Sequence, residues 1–201
     1  PVLSPQKNAA KYFKDYKKSH TAEQTLTELT RRDKQELIYF DSVLESISRS
    51  STKAEIAEIR EELTAGGYLK APATKPKKTQ APVLREYKSA EGYRIIVGKN
   101  NRQNDYITTT LAAKNDLWFH TKNIPGSHVV VMCGSKEVSD ETLIYAATLA
   151  AENSGASAGA QVPVDYTPIK FVKKPNGAKP GMVIYTTNKM LYVTPDNGGK
   201  L

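Results

Sequence analysis

The first third of the chain carries apolar side chains at the three- and four-residue spacing that is typical of amphipathic helices. Ser4 followed by Pro5 predicts a helix start, because serine caps a first turn and proline fits its first position. The pattern predicts a break near Ser19 and His20 and a second helix from about Thr21 to Ser48. The apolar face of the first helix is formed by Ala9, Tyr12, Phe13 and Tyr16.

The second predicted helix has the apolar spacing of a coiled-coil seam, with Asp33 and Glu36 at two of the seam positions. A seam of this kind stays exposed unless another helix packs on it. We therefore expect either self-association of the chain through this seam or a partner helix that precedes residue 1 in a longer protein. The apolar seam positions are Ala22, Leu26, Leu29, Phe40, Val43 and Ile47.

A short third helix is predicted after the serine pair at residues 50–51. Thr52 and Glu55 have the spacing of a capping box, in which each side chain binds the backbone N–H of the other residue. The glycine pair at residues 66–67 is expected to end this helix. Its apolar side chains, which are predicted to face one way, are Ile56, Ile59 and Leu63.

Residues 70–83 contain three prolines and four lysines and few apolar side chains. This composition predicts an extended linker. Its lysines belong either to a simple spacer or to an arm that binds a partner, and the sequence favours the spacer.

From residue 84 onward, short β runs alternate with turn signals and two helical stretches, which predicts an α+β fold. The chain is thus predicted to have three parts, a helical arm at 1–69, the linker at 70–83 and an α+β domain at 84–201. Strands are predicted at 93–97, 117–120, 128–132, 169–172, 182–186 and 190–193, with a turn at 187–189 joining the last two, and helices at 104–113 and 139–152.

Composition excludes several classes of protein. Apolar residues make up 39% of the chain and the mean hydropathy is −0.52. The longest apolar run, at residues 129–133, is far shorter than the ~20 residues of a membrane-spanning helix, so we expect no membrane insertion. The single cysteine, Cys133, excludes an intramolecular disulfide framework. No signal peptide is visible at the start of the sequence.

The formal net charge of +8 arises entirely after residue 69, because residues 1–69 contain equal numbers of basic and acidic side chains. Such an asymmetry favours a polyanionic partner, most often a nucleic acid. The alternative is a basic surface that only keeps the protein soluble.

Familiar catalytic motifs are absent from the sequence, including the glycine-rich phosphate loops, HExxH and GxSxG. His120, His128 and Cys133 do not have the spacing of a common metal site, and no fourth ligand is evident. Ser127 and His128 have no evident acidic partner for a hydrolase triad. We therefore expect no metal, no cofactor and no enzymatic activity.

Two dense polar clusters stand out in the predicted α+β domain. Residues 98–105, GKNNRQND, lie between a predicted strand and a predicted helix, where amide and basic side chains suit phosphates and base edges. The alternative is an Asn-rich turn whose side chains cap their own backbone. In the second cluster, at residues 116–128, we expect Trp118 in the core. We expect His120 and His128 at the surface, where a ring can stack on an unpaired base.

These two clusters resemble the signature of the NFACT-R domain, through GKNNRQND at 98–105, DLWFH at 116–120 and PGSH at 125–128. The segments at 8–16 and 56–69 resemble the descending half of that family's central coiled coil. The chain is thus similar to the C-terminal part of ribosome quality-control factors named RqcH in bacteria and NEMF in animals. Streptococcal and staphylococcal members are also named fibronectin-binding protein A, FbpA or PavA.

The resemblance implies a cytoplasmic module that binds RNA and tRNA on large ribosomal subunits carrying obstructed peptidyl-tRNA. Full-length family members add a C-terminal alanine tail to the stalled chain, and we expect this stretch alone to lack that activity. The alternative implied function is an adhesin that binds fibronectin at the surface of Gram-positive cocci. Salt dependence separates the two, because RNA binding through several phosphates weakens as salt rises.

We expect RNA on the side of the domain that carries the polar segment and the late lysines. The predicted helix at 139–152 should point away, because residues 137–164 contain four acidic residues and no Lys or Arg. The residues expected to contact RNA are Lys99, Asn100, Asn101, Arg102, Gln103, Asn104, His120, Lys122, Ser127, His128, Lys170, Lys173, Lys174 and Lys179.

Overall fold

A computed structural model describes residues 2–71 and 83–195. The chain divides into two compact units, one up to Phe40 and one from Asp41 onward. Most of the predicted linker at 70–83 lies outside the described residues, so its conformation stays a prediction. Among the described helices, none has both the length and the apolar character that a bilayer crossing requires.

The first helix, α1, runs without interruption from Pro5–Ser48 over 44 residues. It begins as predicted, since the Ser4 hydroxyl accepts a hydrogen bond of 3.4 Å from the backbone N–H of the third residue after it. The predicted break near His20 is wrong. The His20 ring stacks on Tyr16 with 5.9 Å between ring centroids and is hydrogen-bonded to the Gln24 amide at 3.2 Å. These contacts span four residues each and favour a continuous helix.

Within the first unit, two residues of the predicted seam are solvent-exposed. Leu26 and Leu29 are 62% and 38% exposed, respectively. The apolar stripe that the sequence predicts is therefore present on α1 without full burial. Self-association through it stays a prediction.

The second helix, α2, spans Lys53–Ala65 and has the predicted ends. The Thr52 hydroxyl accepts from the backbone N–H of Glu55 at 3.2 Å, and the Glu55 carboxylate accepts from the backbone N–H of Thr52 at 3.3 Å. Both halves of the capping box are thus formed. Gly66 caps the C-terminus and Gly67 follows with a φ of 80°, a conformation that glycine adopts without steric cost.

The second unit is built on one antiparallel sheet of six strands, beside a two-stranded ribbon. The eight strands in chain order are β1 Arg85–Lys88, β2 Arg94–Val97, β3 Leu117–Thr121, β4 Val129–Val131, β5 Val162–Pro168, β6 Val172–Lys173, β7 Ile184–Tyr185 and β8 Lys189–Val193. Their order across the sheet is β1-β2-β4-β3-β5-β8, and β6 pairs with β7 in the ribbon. The predicted α+β fold class is confirmed.

One face of the sheet is covered by helix α4, Asp140–Glu152, as the sequence predicted. The Ser139 hydroxyl caps this helix by accepting from the backbone N–H of Thr142 at 3.3 Å. Alanines on the inner side of α4 let the helix approach the sheet closely, and the resulting core is apolar. Its fully buried members include Ile95, Val97, Phe119, Val129, Val131, Ala146, Ala147, Ala150 and Val164.

The opposite face is covered by α3, Asn101–Tyr106, by the π-helical turn Ile107–Leu111 that continues it, and by the β6–β7 ribbon. The centre of this face is Trp118, whose indole lies 4.9 Å from the Tyr185 ring of the ribbon, centroid to centroid. The prediction that Trp118 belongs to the core is confirmed, since it is fully buried. Ile96, Ile107, Val130 and Ile169 complete the buried apolar cluster.

The predicted strands differ from the observed ones at β1, which was not predicted, and in three further places. Strand β5 was not predicted, because Pro163 and Pro168 are residues that argue against a strand in a sequence. The run at 169–172, predicted as a strand, is mostly the 3-10 turn Ile169–Phe171. The predicted hairpin with a turn at 187–189 does not form, because β7 pairs with β6 whereas β8 pairs with β5.

Candidate nucleic-acid interface

The polar segment that follows β2 is held at the start of α3. Asn100 is the N-cap of α3, with its side-chain oxygen accepting from the backbone N–H of Gln103 at 2.9 Å. The side-chain oxygen of Gln103 in turn accepts from the backbone N–H of Lys99 at 3.2 Å. The alternative interpretation of this segment as a turn that caps its own backbone is therefore observed.

The remaining polar groups of this segment bind the acidic side of α2. Lys99 Nζ lies 2.7 Å from Glu55 Oε1, and Arg102 donates to Glu61 at 2.8 Å. The side-chain amides of Asn100 and Gln103 both donate to Glu58, at 2.7 and 2.8 Å. Asn101 donates to Ser42 Oγ at 2.9 Å and to Glu62 at 3.3 Å.

Four glutamates of α2 thus form ion pairs and hydrogen bonds with the amide and basic groups at residues 99–103. We call this contact the acidic clasp. Its effect on Glu55 is large, because the hydrogen bond from Lys99, backbone hydrogen bonds and the charge of Lys99 lower the pKa of that carboxyl to about 2. Sequence reasoning missed these glutamates as partners. The signal was their three- and four-residue spacing at 55, 58, 61 and 62, which places Glu55 and Glu62 on the buried side of α2 beside Ile59.

The amides of the polar segment are buried, three of them against the acidic clasp. Asn100, Asn101, Gln103 and Asn104 are each 3% exposed or less. Asn104 faces away from α2, where its oxygen accepts from the backbone N–H of His128 at 3.0 Å. In this arrangement, only the charged side chains of the segment, Lys99, Arg102 and Asp105, keep exposed surface.

Ser127 and His128 lie inside the second unit. The Ser127 hydroxyl donates to the Gly98 carbonyl and accepts from the Arg49 guanidinium at 2.9 Å. His128 Nδ1 shares a hydrogen bond of 2.7 Å with the Thr108 hydroxyl. The expectation that His128 lies at the surface is wrong, because the ring is 2% exposed beneath the π-helical turn.

His120 is half-buried rather than a free surface group. Its ring is stacked on Trp118 at 5.7 Å and contacts the edge of His128 at 5.4 Å. Burial lowers the pKa of His120 to about 4 and that of His128 well below its usual range. Both rings are therefore neutral at pH 7.

The predicted lysines are dispersed, and some have protein partners. Lys174 forms an ion pair with Asp105, and the Lys179 amine lies 4.7 Å above the centre of the Tyr68 ring. The Lys170 amine contacts the Asn115 amide oxygen at 3.4 Å, although the side chain is exposed.

Two of the predicted lysines are exposed without such a partner. Lys122 and Lys173 form no ion pair with any residue of the described ranges 2–71 and 83–195. Together with Lys170, they are the exposed lysines that form no ion pair within the described ranges, among the residues predicted to contact RNA. In the part of the chain that the structure describes, no three His, Cys, Asp or Glu side chains come together as metal ligands do.

The matches to protein families divide the chain at the end of the segment 70–83, whose composition predicts a linker. Residues 1–82 match the NFACT N-terminal and middle domains. Residues 84–187 match the NFACT protein RNA binding domain. The second match covers the six-stranded sheet up to the turn before its last strand, together with α3 and α4.

Curated relatives agree with these matches. The chain is 47% identical over 199 residues to the Rqc2 homolog RqcH of Bacillus subtilis (strain 168), and the alignment covers 98% of the chain. It is 42% identical over 197 residues to the Rqc2 homolog RqcH of Streptococcus pneumoniae serotype 2, again over 98% of the chain. The chain spans about a third of the length of these relatives, 34% and 35%.

A solved structure also resembles the chain closely. It is the C-terminal part of the fibronectin/fibrinogen-binding protein from Streptococcus suis, with a TM-score of 0.87 and 42% sequence identity. The match covers 96% of this chain and 77% of that one.

Proposed function

The chain belongs to the NFACT family, and on that premise we propose that it is the RNA-binding part of a ribosome quality-control factor. The observation that carries the proposal is the match of residues 84–187 to the family's RNA binding domain. The excess of basic residues after residue 69 supports it, because RNA attracts a positive surface.

The proposed target is the large ribosomal subunit with an obstructed peptidyl-tRNA. Its rRNA offers a dense array of phosphates, and Lys122, Lys170 and Lys173 offer exposed amines on the second unit. We propose a cytoplasmic location, where ribosomes are found. The addition of an alanine tail is proposed for the full-length protein, in which this chain binds RNA and other regions handle the tRNA.

The test is a titration of isolated large subunits at several salt concentrations with the wild-type chain and two double variants. Lys170→Ala/Lys173→Ala removes two exposed amines from the segment around β6. The expected result is weaker binding and a salt slope that is smaller by about 1.4–1.8, as for two lost phosphate contacts.

The matched control removes two lysines that the proposal does not assign to the RNA surface. Lys136 and Lys189 line a cavity of about 510 Å³ together with Leu143 of α4. Lys136→Ala/Lys189→Ala removes the same amount of charge from a region to which no RNA contact is assigned. We therefore expect it to change the salt slope less than Lys170→Ala/Lys173→Ala. Equal slopes for the two double variants contradict the assignment of the surface, and absence of binding by the wild type contradicts the proposed function.

Fibronectin binding is the second candidate function, because the similar Streptococcus suis protein is named for it. A protein interface with an apolar centre depends less on salt than binding through phosphates. Binding to fibronectin that persists at high salt, without binding to large subunits, favours this candidate.

A further inference from the structure

The sheet has an open area on the face that carries α3 and the ribbon. In the pairing of β5 with β8, Pro163 lies opposite Tyr192 and Asp165 lies opposite Met190. Directly paired residues of antiparallel strands point to the same face. His120, paired with Asp165 across the other edge of β5, belongs to the same face. It is also the face of Trp118, since residues two apart on a strand share a face.

Apolar side chains at this end of the sheet are exposed. Tyr192 is 58% exposed and Met190 is 39% exposed, beside the half-buried Pro163. Their neighbours on β8, Leu191 and Val193, point the other way and pack into the α4 core. The alternation along β8 therefore packs Leu191 and Val193 into the core on one face. On the other face it leaves the Tyr192 ring and the Met190 thioether exposed, beside the Pro163 ring of β5.

These exposed groups form a contiguous patch rather than scattered single residues. Isolated exposed apolar residues are normal, whereas a contiguous apolar patch on a sheet face indicates an interaction site. We call Pro163, Met190 and Tyr192 the β5–β8 platform. Met190 and Tyr192 lie on β8, the edge strand of the sheet, and among the described residues no strand pairs with its outer side.

The charges beside the β5–β8 platform suit an anionic ligand. The exposed Lys122 adjoins Pro163, because its backbone N–H donates to the Pro163 carbonyl at 2.9 Å. The acidic residue of the platform row, Asp165, is 1% exposed. Its carboxylate accepts hydrogen bonds from the Tyr185 hydroxyl and the Asn188 amide, each at 2.8 Å. The carboxylate is thus bound within the protein, while the lysine faces solvent.

We propose that the β5–β8 platform binds unpaired RNA bases by stacking, with Lys122 near the adjoining phosphate. Aromatic rings on an open sheet face stack on bases, whose ring faces are accessible when the strand is unpaired. The inference rests on the proposed RNA-binding function and specifies single-stranded RNA as the ligand of this surface.

The experiment titrates the full chain with an oligouridylate of about 12 nucleotides, within the range of single-strand sites, and with an RNA duplex of equal length. The variants are Tyr192→Ala, Tyr192→Phe and the control Tyr145→Ala. Tyr145 is 38% exposed on α4, which covers the opposite face of the sheet. Thermal melts of all variants establish that each is folded.

Tyr192→Ala is expected to weaken oligouridylate binding about fivefold to a hundredfold, which is the range of a lost base stack. The salt slope should stay unchanged because tyrosine carries no charge at neutral pH. Tyr192→Phe and Tyr145→Ala should bind like the wild type, and duplex binding should not respond to Tyr192→Ala.

Other outcomes overturn the inference in distinguishable ways. Base stacking at the platform is contradicted if the wild type binds large subunits or duplex but not oligouridylate. It is also contradicted if Tyr192→Ala binds oligouridylate normally. Both results leave the proposed function intact. If the wild type binds none of these RNAs, both the stacking inference and the proposed RNA-binding function are contradicted. Loss of fibronectin binding in Tyr192→Ala with normal oligouridylate binding assigns the platform to a protein ligand instead.

Discussion

The two faces of the six-stranded sheet differ in chemistry. The α4 face is filled by valines, alanines, isoleucine and Phe119, all fully buried or nearly so. The other face surrounds Trp118 with His120, His128, Thr108 and Asp165, which meet through hydrogen bonds and ring contacts. A fold of this size needs one dry core for stability, and here the α4 face supplies it.

Burying polar groups costs free energy, so the polar face is more costly to build than the α4 face. For that reason it says more about function than the α4 face does. An unpaired buried donor or acceptor costs about 1–3 kcal/mol. Thr108, His128 and Asp165 have hydrogen-bond partners on this face, whereas the buried Trp118 indole N–H has none among the described residues. Both proposed RNA contacts, the exposed lysines around β6 and the β5–β8 platform, lie on or beside that face. The following predictions test the division, from the largest effect to the smallest.

Phe119→Ala should lower the free energy of unfolding by about 3–5 kcal/mol, because it removes a fully buried ring from the α4 face. Urea unfolding measures the change. The control is Ile144→Ala on α4, where the side chain is 51% exposed and the loss should be small. A loss below about 1 kcal/mol for Phe119→Ala contradicts the view of the α4 face as the main source of stability.

The polar face should make the protein sensitive to mild acid. Burial lowers the pKa of His120 in the folded state to about 4. Between pH 6.5 and 4, the unfolded state therefore binds more protons than the folded state. Stability is therefore complete above pH 6.5 and falls as the pH drops. His120 alone accounts for about 2 kcal/mol at pH 5, and His128 adds to this in the same direction.

Urea unfolding at pH 7 and pH 5 measures this loss for the wild type, for His120→Gln and for the exposed control His20→Gln. The His120 variant should lose less stability on acidification than the wild type, and the His20 variant should lose as much. Equal stability of the wild type at the two pH values is the outcome that this account does not allow.

The acidic clasp should show a measurable coupling between α2 and the start of α3. Lys99→Ala is expected to cost about 1–2 kcal/mol, since the ion pair with Glu55 is only partly exposed. A double-mutant cycle with Glu55→Gln isolates the pair. Because the pKa of Glu55 is lowered to about 2, its contribution is present above pH 4.5 and is lost as the pH falls toward 2.

Additive effects of Lys99→Ala and Glu55→Gln would show that the two side chains do not interact in solution. The matched control pair is Arg94 with Glu86, a more exposed ion pair at 2.9 Å within the sheet. Its coupling should be smaller than that of Lys99 with Glu55, because solvent screens an exposed ion pair.

Ser139→Ala should have the smallest effect, about 1 kcal/mol, because it removes one N-cap from α4 and an exposed hydrogen bond of 2.7 Å to Glu91. Asn100→Ala should cost more, although it also removes an N-cap, because its amide donates to Glu58 in the acidic clasp. Urea unfolding compares the two caps, one on each face. Equal costs argue that the acidic clasp contributes little beyond capping.

Much of the local structure was predictable from the sequence. The capping box at Thr52 and the cap at Ser139 were predicted because each depends on residues three positions apart. Strands β2, β3 and β4 were predicted because their apolar runs are unbroken. Strand β5 was missed because two prolines and Asp165 obscure its pattern, and only its pairing with β3 and β8 makes it a strand.

The candidate site was harder to predict, because accessibility depends on distant residues. The segment at 99–103 has the composition of a ligand-binding loop, and its amides are nevertheless buried by glutamates about 40 positions earlier. Tyr192 and Met190 have the composition of a core strand and are exposed. Residue type indicates what a side chain can bind, whereas tertiary packing decides whether it is accessible.

The sequence separation within the acidic clasp has a consequence for synthesis on the ribosome. The glutamates of α2 precede their partners by 39–45 positions. At 5–20 residues per second, about 2–9 seconds pass between the synthesis of these glutamates and that of their partners. During that interval the glutamates of α2 have no clasp partners, so the buried packing of Glu55 and Glu62 can form only after residues 99–103 have been made.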